Sequence, residues 1–251
     1  MKGRAFLFLA AVVLLTATCN MADLERTVLA AEEYQARGFE YLNNGDYDRA
    51  IAEFTKAINL NPEYAEAYFD RGTAYYERSQ VYYHDGDLEM YFADYDRAEA
   101  DWADGGILFA NQMIRLDPND ADAYCWRGSA YSSKKEYDRA FADFDHAIRL
   151  DPNRFATYYE RGLANYFKSD YDSAIADFSQ AVRIDSNKIE VYYWLGDAYC
   201  KKKDYDRAIA VFEAILVIKP DSLLAKYLIE DTQRAKEWRG RAVEEMYLTP
   251  N

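Results

Sequence analysis

Arg37, Arg71, Arg127 and Arg161 each stand directly before a glycine. An acid answers each one further along the chain, in order Glu53, Asp101, Asp143 and Asp177. Guanidinium and carboxylate groups recurring at fixed offsets can do one of two things. They can bridge two elements as ion pairs, or the arginines can form a ladder that binds an anion. At the fifth recurrence both members change together, to Leu195 and Val211. A paired loss points to contact between the partners, because removing only one would strand a buried charge. A second set of chemical groups is the acid run between His84 and Asp104: Asp85, Asp87, Glu89, Asp94, Asp96, Glu99, Asp101 and Asp104, with Arg97 the one base among them. His84 to Glu89 lacks the full twelve-residue pattern of a calcium loop, so no metal site is expected. A solvated acidic face is the expected state, and a docking surface is the functional alternative. The two histidines, His84 and His146, lack metal-ligand spacing, and His146 is expected as an exposed helix residue. No glycine-rich phosphate loop follows a strand, and no Ser or Cys has a recognisable base partner. These features predict no catalytic residues, no cofactor and no enzyme.

The chain has 251 residues, half of them apolar, and could bury a sizeable core. Its net charge is −14, and it holds 24 Tyr against 5 Pro and 2 His. Such acidity repels nucleic acid and anionic headgroups at long range, which argues against both as general partners. The sequence leaves the oligomeric state open.

Residues 1–19 read as an export signal. Lys2 and Arg4 precede the apolar run Ala5 to Leu15, which is too short for a convincing membrane span. The following TATCN is similar to a bacterial lipoprotein processing site with Cys19 as the lipidated residue, although Thr18 and Thr16 depart from that pattern. The expected location is the periplasm or an outer-membrane lipid anchor, with simple secretion as the alternative. Any membrane attachment would rest on that N-terminal lipid alone. Cys125 and Cys200 fall two repeats apart in the scheme below, too far for a disulfide, so two free thiols are expected.

The elements that position these groups come from self-similarity. Tyr47, Tyr137, Tyr171 and Tyr205 each follow a glycine (Gly38, Gly128, Gly162, Gly196) by nine positions, and Ala, Phe and a further small or apolar residue recur behind each. The period is 34. Spacings of three and four place these residues on one helical face, and the glycine lets a paired helix approach. Residues Tyr34, Gly38, Tyr41, Ala50, Phe54, Ala57 and Pro62 resemble the tetratricopeptide repeat signature. So do Tyr124, Gly128, Tyr131, Ala140, Phe144, Ala147 and Pro152.

The resemblance covers about 31–222, departing at Asn165, where an aromatic is usual, and at Ser186. It implies an all-α, right-handed superhelical solenoid of antiparallel helix pairs. The repeats are expected at 31–64, 65–120, 121–154, 155–188 and 189–222, with a capping helix at 223–248 whose apolar face holds Leu224, Leu228, Ala235, Trp238 and Ala242. In this family the first helix of each pair lines the concave surface. The corresponding groove residues here are Phe39, Phe69, Thr73, Tyr76, Tyr159, Leu163, Tyr193 and Asp197, beside Gln35, Leu42, Cys125, Ser129, Ser132, Tyr166 and Cys200. Members that clamp a peptide carboxylate use Lys, Arg and Asn at these places, which this chain lacks. The resemblance implies a protein-interaction scaffold of the cell envelope holding a protein or extended peptide. The alternative is a small-ligand binder serving a transporter through the aromatic groove.

The second repeat carries 22 extra residues: 14 between Gly72 and Tyr95, and 8 between Tyr95 and Pro118. Leu88, Tyr91, Tyr95, Ala98, Trp102, Gly105, Phe109, Met113 and Leu116 form a helical stripe about 29 residues long. Gly105 and Gly106 each cost about 1 kcal/mol in a helix interior, which predicts a kink or break there.

Overall fold

A computed structural model describes residues 25–248, with side chains to residue 238; the expected export signal and Cys19 lie outside the described residues. Among the described residues eleven helices follow one another: α1 (25–43), α2 (Tyr47–Leu60), α3 (Ala65–Asp85), α4 (Leu88–Leu116), α5 (Ala121–Ser133), α6 (Tyr137–Leu150), α7 (Phe155–Phe167), α8 (Tyr171–Ile184), α9 (Ile189–Lys201), α10 (Tyr205–Ile218) and α11 (Leu223–Leu248). The chain divides into two compact units, Met1–Gln112 and Met113–Asn251.

In the first unit the recurrent alanines and aromatics form the core. Ala50, Phe54 and Ala74 are fully buried together, and Ala31, Ala57 and Ala67 form a second cluster with Ile58. The repeat glycine is there because of its neighbour: a Cβ on Gly72 would fall 2.7 Å from Trp102 Cδ1. Only a bare backbone lets α3 and α4 close to that distance.

The insertion lengthens both helices of the second pair. Helix α3 has 21 residues and ends on Gly86 at φ 80°, in the left-handed region. Helix α4 has 29 residues and covers the predicted stripe. The expected break at Gly105 and Gly106 does not occur, because helix runs through both. Gly105 is instead another close approach, where an added Cβ would sit 3.0 Å from the Ala65 carbonyl oxygen and 3.3 Å from the Phe69 ring. Packing of α4 on α3 therefore outweighs the roughly 2 kcal/mol that two glycines cost a helix. With no break to restore the phase, both ends of the stripe stand in solvent, at Leu88 and at Phe109 and Leu116.

Asp94 corrects the expectation of a solvated acid face. In the first, fourth and fifth repeats the residue before the recurring Tyr caps the second helix: Asp46, Asp170 and Asp204 accept from the backbone N–H of Arg49, Ser173 and Arg207, whereas Glu136 in the third makes no such bond. Because α4 already begins at Leu88, Asp94 lies inside the helix with no free N–H to cap. It is fully buried and accepts instead from Arg78 and Arg97.

In the second unit α5–α6, α7–α8 and α9–α10 are antiparallel pairs, and α11 packs on α10. Phe178, Phe212, Val191, Leu195 and Ile215 form the core with Ala174, Ala181, Ala208 and Ala225. Burying one such Phe is worth about 2 to 3 kcal/mol. Asn165, the departure from the repeat pattern, is buried and donates from Nδ2 to Asp177 Oδ2 at 3.0 Å, so it extends the ion pair instead of filling an aromatic slot.

Helix α11 packs through only part of the expected face: Leu228 lies against the core and Ala235 is half-buried, but the centre of the buried stripe is shifted. Ala225 and Thr232 are buried, with Leu228 and Ile229 against the core, while Leu224 is exposed and Trp238 is 70% exposed. Thr232 is accommodated because its hydroxyl donates to the Leu228 carbonyl. Packing on α10 sets the helix rotation, and the Leu224–Trp238 stripe falls to one side of it. The expected cap residue Ala242 lies outside the described side chains.

Candidate functional site: the shared face of the first helices

Helices α5, α7 and α9 lie side by side in the second unit, which brings the predicted groove positions together. Most of these side chains bind the next first helix. Ser129 donates to Glu160 at 2.7 Å, Tyr166 donates to Asp197, the Tyr193 and Ser222 hydroxyls are 3.0 Å apart, and Cys200 Sγ lies 3.6 Å from Thr232 Oγ1. Tyr159 stacks on Phe155 at 5.7 Å and bonds Trp194, while Leu163 joins the core. Burial raises the Tyr166 phenol above its ordinary value and the Asp197 carboxylate raises it further, so it stays a proton donor at neutral pH.

On α5 and α7 the exposed aromatic rings lie one residue further along than these positions. Phe167 is 61% exposed and Trp126 is 46% exposed. Phe167 meets the half-buried Trp194 edge-on at 5.8 Å, and Tyr166 meets both, at 5.6 Å and 5.2 Å. Tyr227 on α11 is also exposed. The positions that the repeat register marks, Cys125, Tyr166 and Tyr193, stand directly before Trp126, Phe167 and Trp194. The readable signal was the tryptophan recurring two repeats apart, at 126 and 194.

In the first unit Phe39 is exposed and meets Phe54 edge-on at 5.9 Å. Phe69 is half-buried over Gly105, and the Thr73 hydroxyl donates to the Phe69 carbonyl at 2.9 Å. Tyr76 packs on Trp102 and Tyr95 of α4, at 5.7 and 6.4 Å. Gln35 donates to Asp70 at 2.6 Å and accepts from Tyr64, and Leu42 packs on the core. Burial raises the Asp70 carboxyl above its ordinary value, with Gln35 opposing and Glu66 adding.

The arginine ladder is a row of ion pairs. Arg71, Arg127 and Arg161 each grip their acid through Nε and Nη2 at 2.6 to 3.0 Å, and Arg37 reaches Glu53 through Nε at 3.0 Å. Leu195 and Val211 pack together with the apolar core at the fifth place. These guanidiniums are committed to the fold, which removes the anion-ladder reading. Cys125 and Cys200 are both free thiols. His146 differs from its expected exposure, since its ring lies half-buried on Tyr124 with centroids 4.1 Å apart. Among the described residues no group of three or more His, Cys, Asp or Glu is placed to hold a metal ion.

Surface clefts follow the helix turns. One of about 440 Å³ lies between Asn44–Asp48 and Arg78, Val81 and Tyr82, and another of about 350 Å³ lies between Lys135–Arg139 and Lys168.

Three family models match stretches that together cover more than half of the chain. One, described as TPR repeat, matches residues 38–78, and two described as tetratricopeptide repeat match 121–154 and 168–230. The chain belongs to the tetratricopeptide repeat family. An uncharacterized protein of Methanocaldococcus jannaschii is 39% identical over 51 residues, which is 20% of this tetratricopeptide repeat protein and 59% of the relative. The chain thus spans a little over half the length of that relative. Among solved structures, that of MamA protein is 24% identical with a TM-score of 0.46, over 79% of this chain and 95% of that one. A thermophilic TPR protein of Thermus thermophilus is 19% identical with a TM-score of 0.44, over 81% and 99%.

Proposed function

We propose that this tetratricopeptide repeat protein is an interaction scaffold that holds a protein or extended peptide against the shared face of its first helices. The observation that carries this reading is the open aromatic cluster of Tyr166, Phe167 and Trp194, in which Phe167 is 61% exposed although its neighbours are packed. Rigid aromatic rings give large contact area at low entropic cost and dominate interaction hot spots. The polar groups beside them, Asp197 and Glu160, are held in place by Tyr166 and Ser129, so the surface is arranged before a partner arrives. The residues expected to carry binding are Trp126, Phe167 and Trp194, with Tyr159 and Tyr193 setting the spacing of the helices beneath them.

The location we propose is the bacterial cell envelope, with a lipid on Cys19. Support comes from the basic start, the short apolar run and the TATCN segment. No described helix is long and apolar enough to cross a membrane, so attachment would rest on that lipid.

The test is crosslinking in the native envelope from a photoreactive residue at position 126 or 167, compared with one at Leu60 on a second helix. Crosslinks to one discrete protein from 126 and 167 but not from 60 support the groove. Equal crosslinking from all three overturns it. For the anchor, Cys19→Ala should move the chain from the membrane to the soluble fraction, and an unchanged distribution rejects lipidation.

A further inference from the structure

The extended tip of the α3–α4 hairpin shows a feature that the groove does not use. Tyr83 and Phe92 are 56% and 59% exposed, and their rings are joined through Tyr91, 5.4 Å from Tyr83 and 5.0 Å from Phe92. Leu88, also more than half exposed, lies one turn before Phe92 on the same face of α4. Side chains four apart on a helix make the ridge that packs into the groove of another helix. These four residues form one continuous apolar surface spanning both helices.

The surroundings of this surface are acidic. Asp85, Asp87, Glu89, Asp96 and Glu99 are exposed around it. The nearby arginines, Arg78 and Arg97, are both turned to the buried Asp94, which leaves His84 as the remaining basic side chain of the tip. The same contacts lock the base of the hairpin, so the tip is presented on a fixed support. An apolar ridge ringed by one sign of charge selects its occupant by complementarity. A second copy of this chain, at −14, would be repelled, and so would an anionic lipid surface.

We propose that this hairpin tip is a second docking surface, separate from the groove, whose occupant is a basic amphipathic helix: apolar side chains four apart, flanked by Lys or Arg. The apolar ridge supplies the contact, and the acids supply orientation and fast capture.

The test uses the full chain and a fluorescent amphipathic peptide with leucines four apart and lysines between them. Its controls are a peptide of the same composition with the leucines scattered, and one with Glu in place of Lys. Wild type should bind the first peptide at least tenfold tighter than either control, with affinity falling as salt is raised. Leu88→Ser combined with Phe92→Ser should abolish that preference, whereas Phe167→Ser in the groove should leave it intact. Circular dichroism confirms folding, since both hairpin positions are exposed. Equal binding by the hairpin double variant overturns the proposal, as does equal binding of the Glu peptide. Concentration-dependent dimerisation that Leu88→Ser and Phe92→Ser remove would assign the surface to a second copy and also overturn it. So would flotation with zwitterionic vesicles that the same changes remove.

Discussion

Arg78 holds the buried carboxylate of Asp94 with two donors, Nε at 2.7 Å and Nη2 at 3.0 Å, and reaches Asp48 of α2 with a third. Hydrogen bonding to Asp94 is the largest of the influences that raise the Arg78 guanidinium above its ordinary value, so it stays charged throughout the usable pH range. One side chain thereby ties together α2, α3 and α4 at the point where the insertion leaves the repeat.

Asp94→Asn keeps the shape and removes the charge. Charge-assisted hydrogen bonds contribute about 1.5 to 3 kcal/mol, so a loss on the order of 2 kcal/mol is expected, concentrated at the hairpin. Hydrogen exchange should quicken over residues 79–93 and stay unchanged over α7 to α10. A uniform change, or none, would show that Asp94 does not anchor the tip.

The row of ion pairs gives a thermodynamic cycle. Arg127→Leu alone strands the mostly buried Asp143 and should cost about 3 kcal/mol. Adding Asp143→Val should recover most of that loss, because Leu195 and Val211 fill the same two places in the fifth repeat. Urea denaturation of the two single variants and the double variant measures it. Additive losses would mean that the two residues do not act as a pair.

Burial pushes the Cys125 thiol up to about 12, with Thr157 opposing and Glu160 adding, against an ordinary value of 9.0. The folded state therefore keeps a proton that the unfolded state releases above about pH 9. Stability from this thiol is complete below that pH and is lost between about 9 and 12, by about 1.4 kcal/mol per pH unit. Denaturation midpoints should fall less steeply over that window in Cys125→Ala. At pH 8 a thiol reagent should label the half-buried Cys200 before Cys125 in the native protein.

Lys135, Ser169 and Lys203 occupy left-handed backbone, at φ 60°, 67° and 61°, in the turn between the helices of a pair. A side chain there costs about 1 kcal/mol relative to glycine, and Gly45 fills the same place in the first repeat. Lys203→Gly should raise the unfolding free energy by about 0.5 to 1 kcal/mol, and Gly86→Ala should lower it by a similar amount. Thermal denaturation of both variants checks the opposite signs.

Sequence alone determined the features that repeat. Gly72 and Trp102, Arg71 and Asp101, and the alanines behind each Tyr could be read because each copy in the chain tests the others. A contact needed in every repeat leaves its mark at every period. The 29-residue span of α4 has no second copy and was readable for a different reason, an unbroken stripe of threes and fours.

Tertiary structure alone decided what happens once per molecule. Asp94 looks like the other capping acids in sequence, and only the early start of α4 turns it into a buried ion-pair acceptor. Gly105 looks like a helix breaker until Phe69 and the Ala65 carbonyl are seen against it. On the shared face, the periodicity marked side chains that pack on the neighbouring helix, and only the packing shows that Trp126 and Phe167, one residue further along, are exposed. A helix turns about 100° per residue, and packing against neighbours, which no single segment encodes, fixes where that rotation stops. The same rotation buried Thr232 and left Trp238 in solvent on α11.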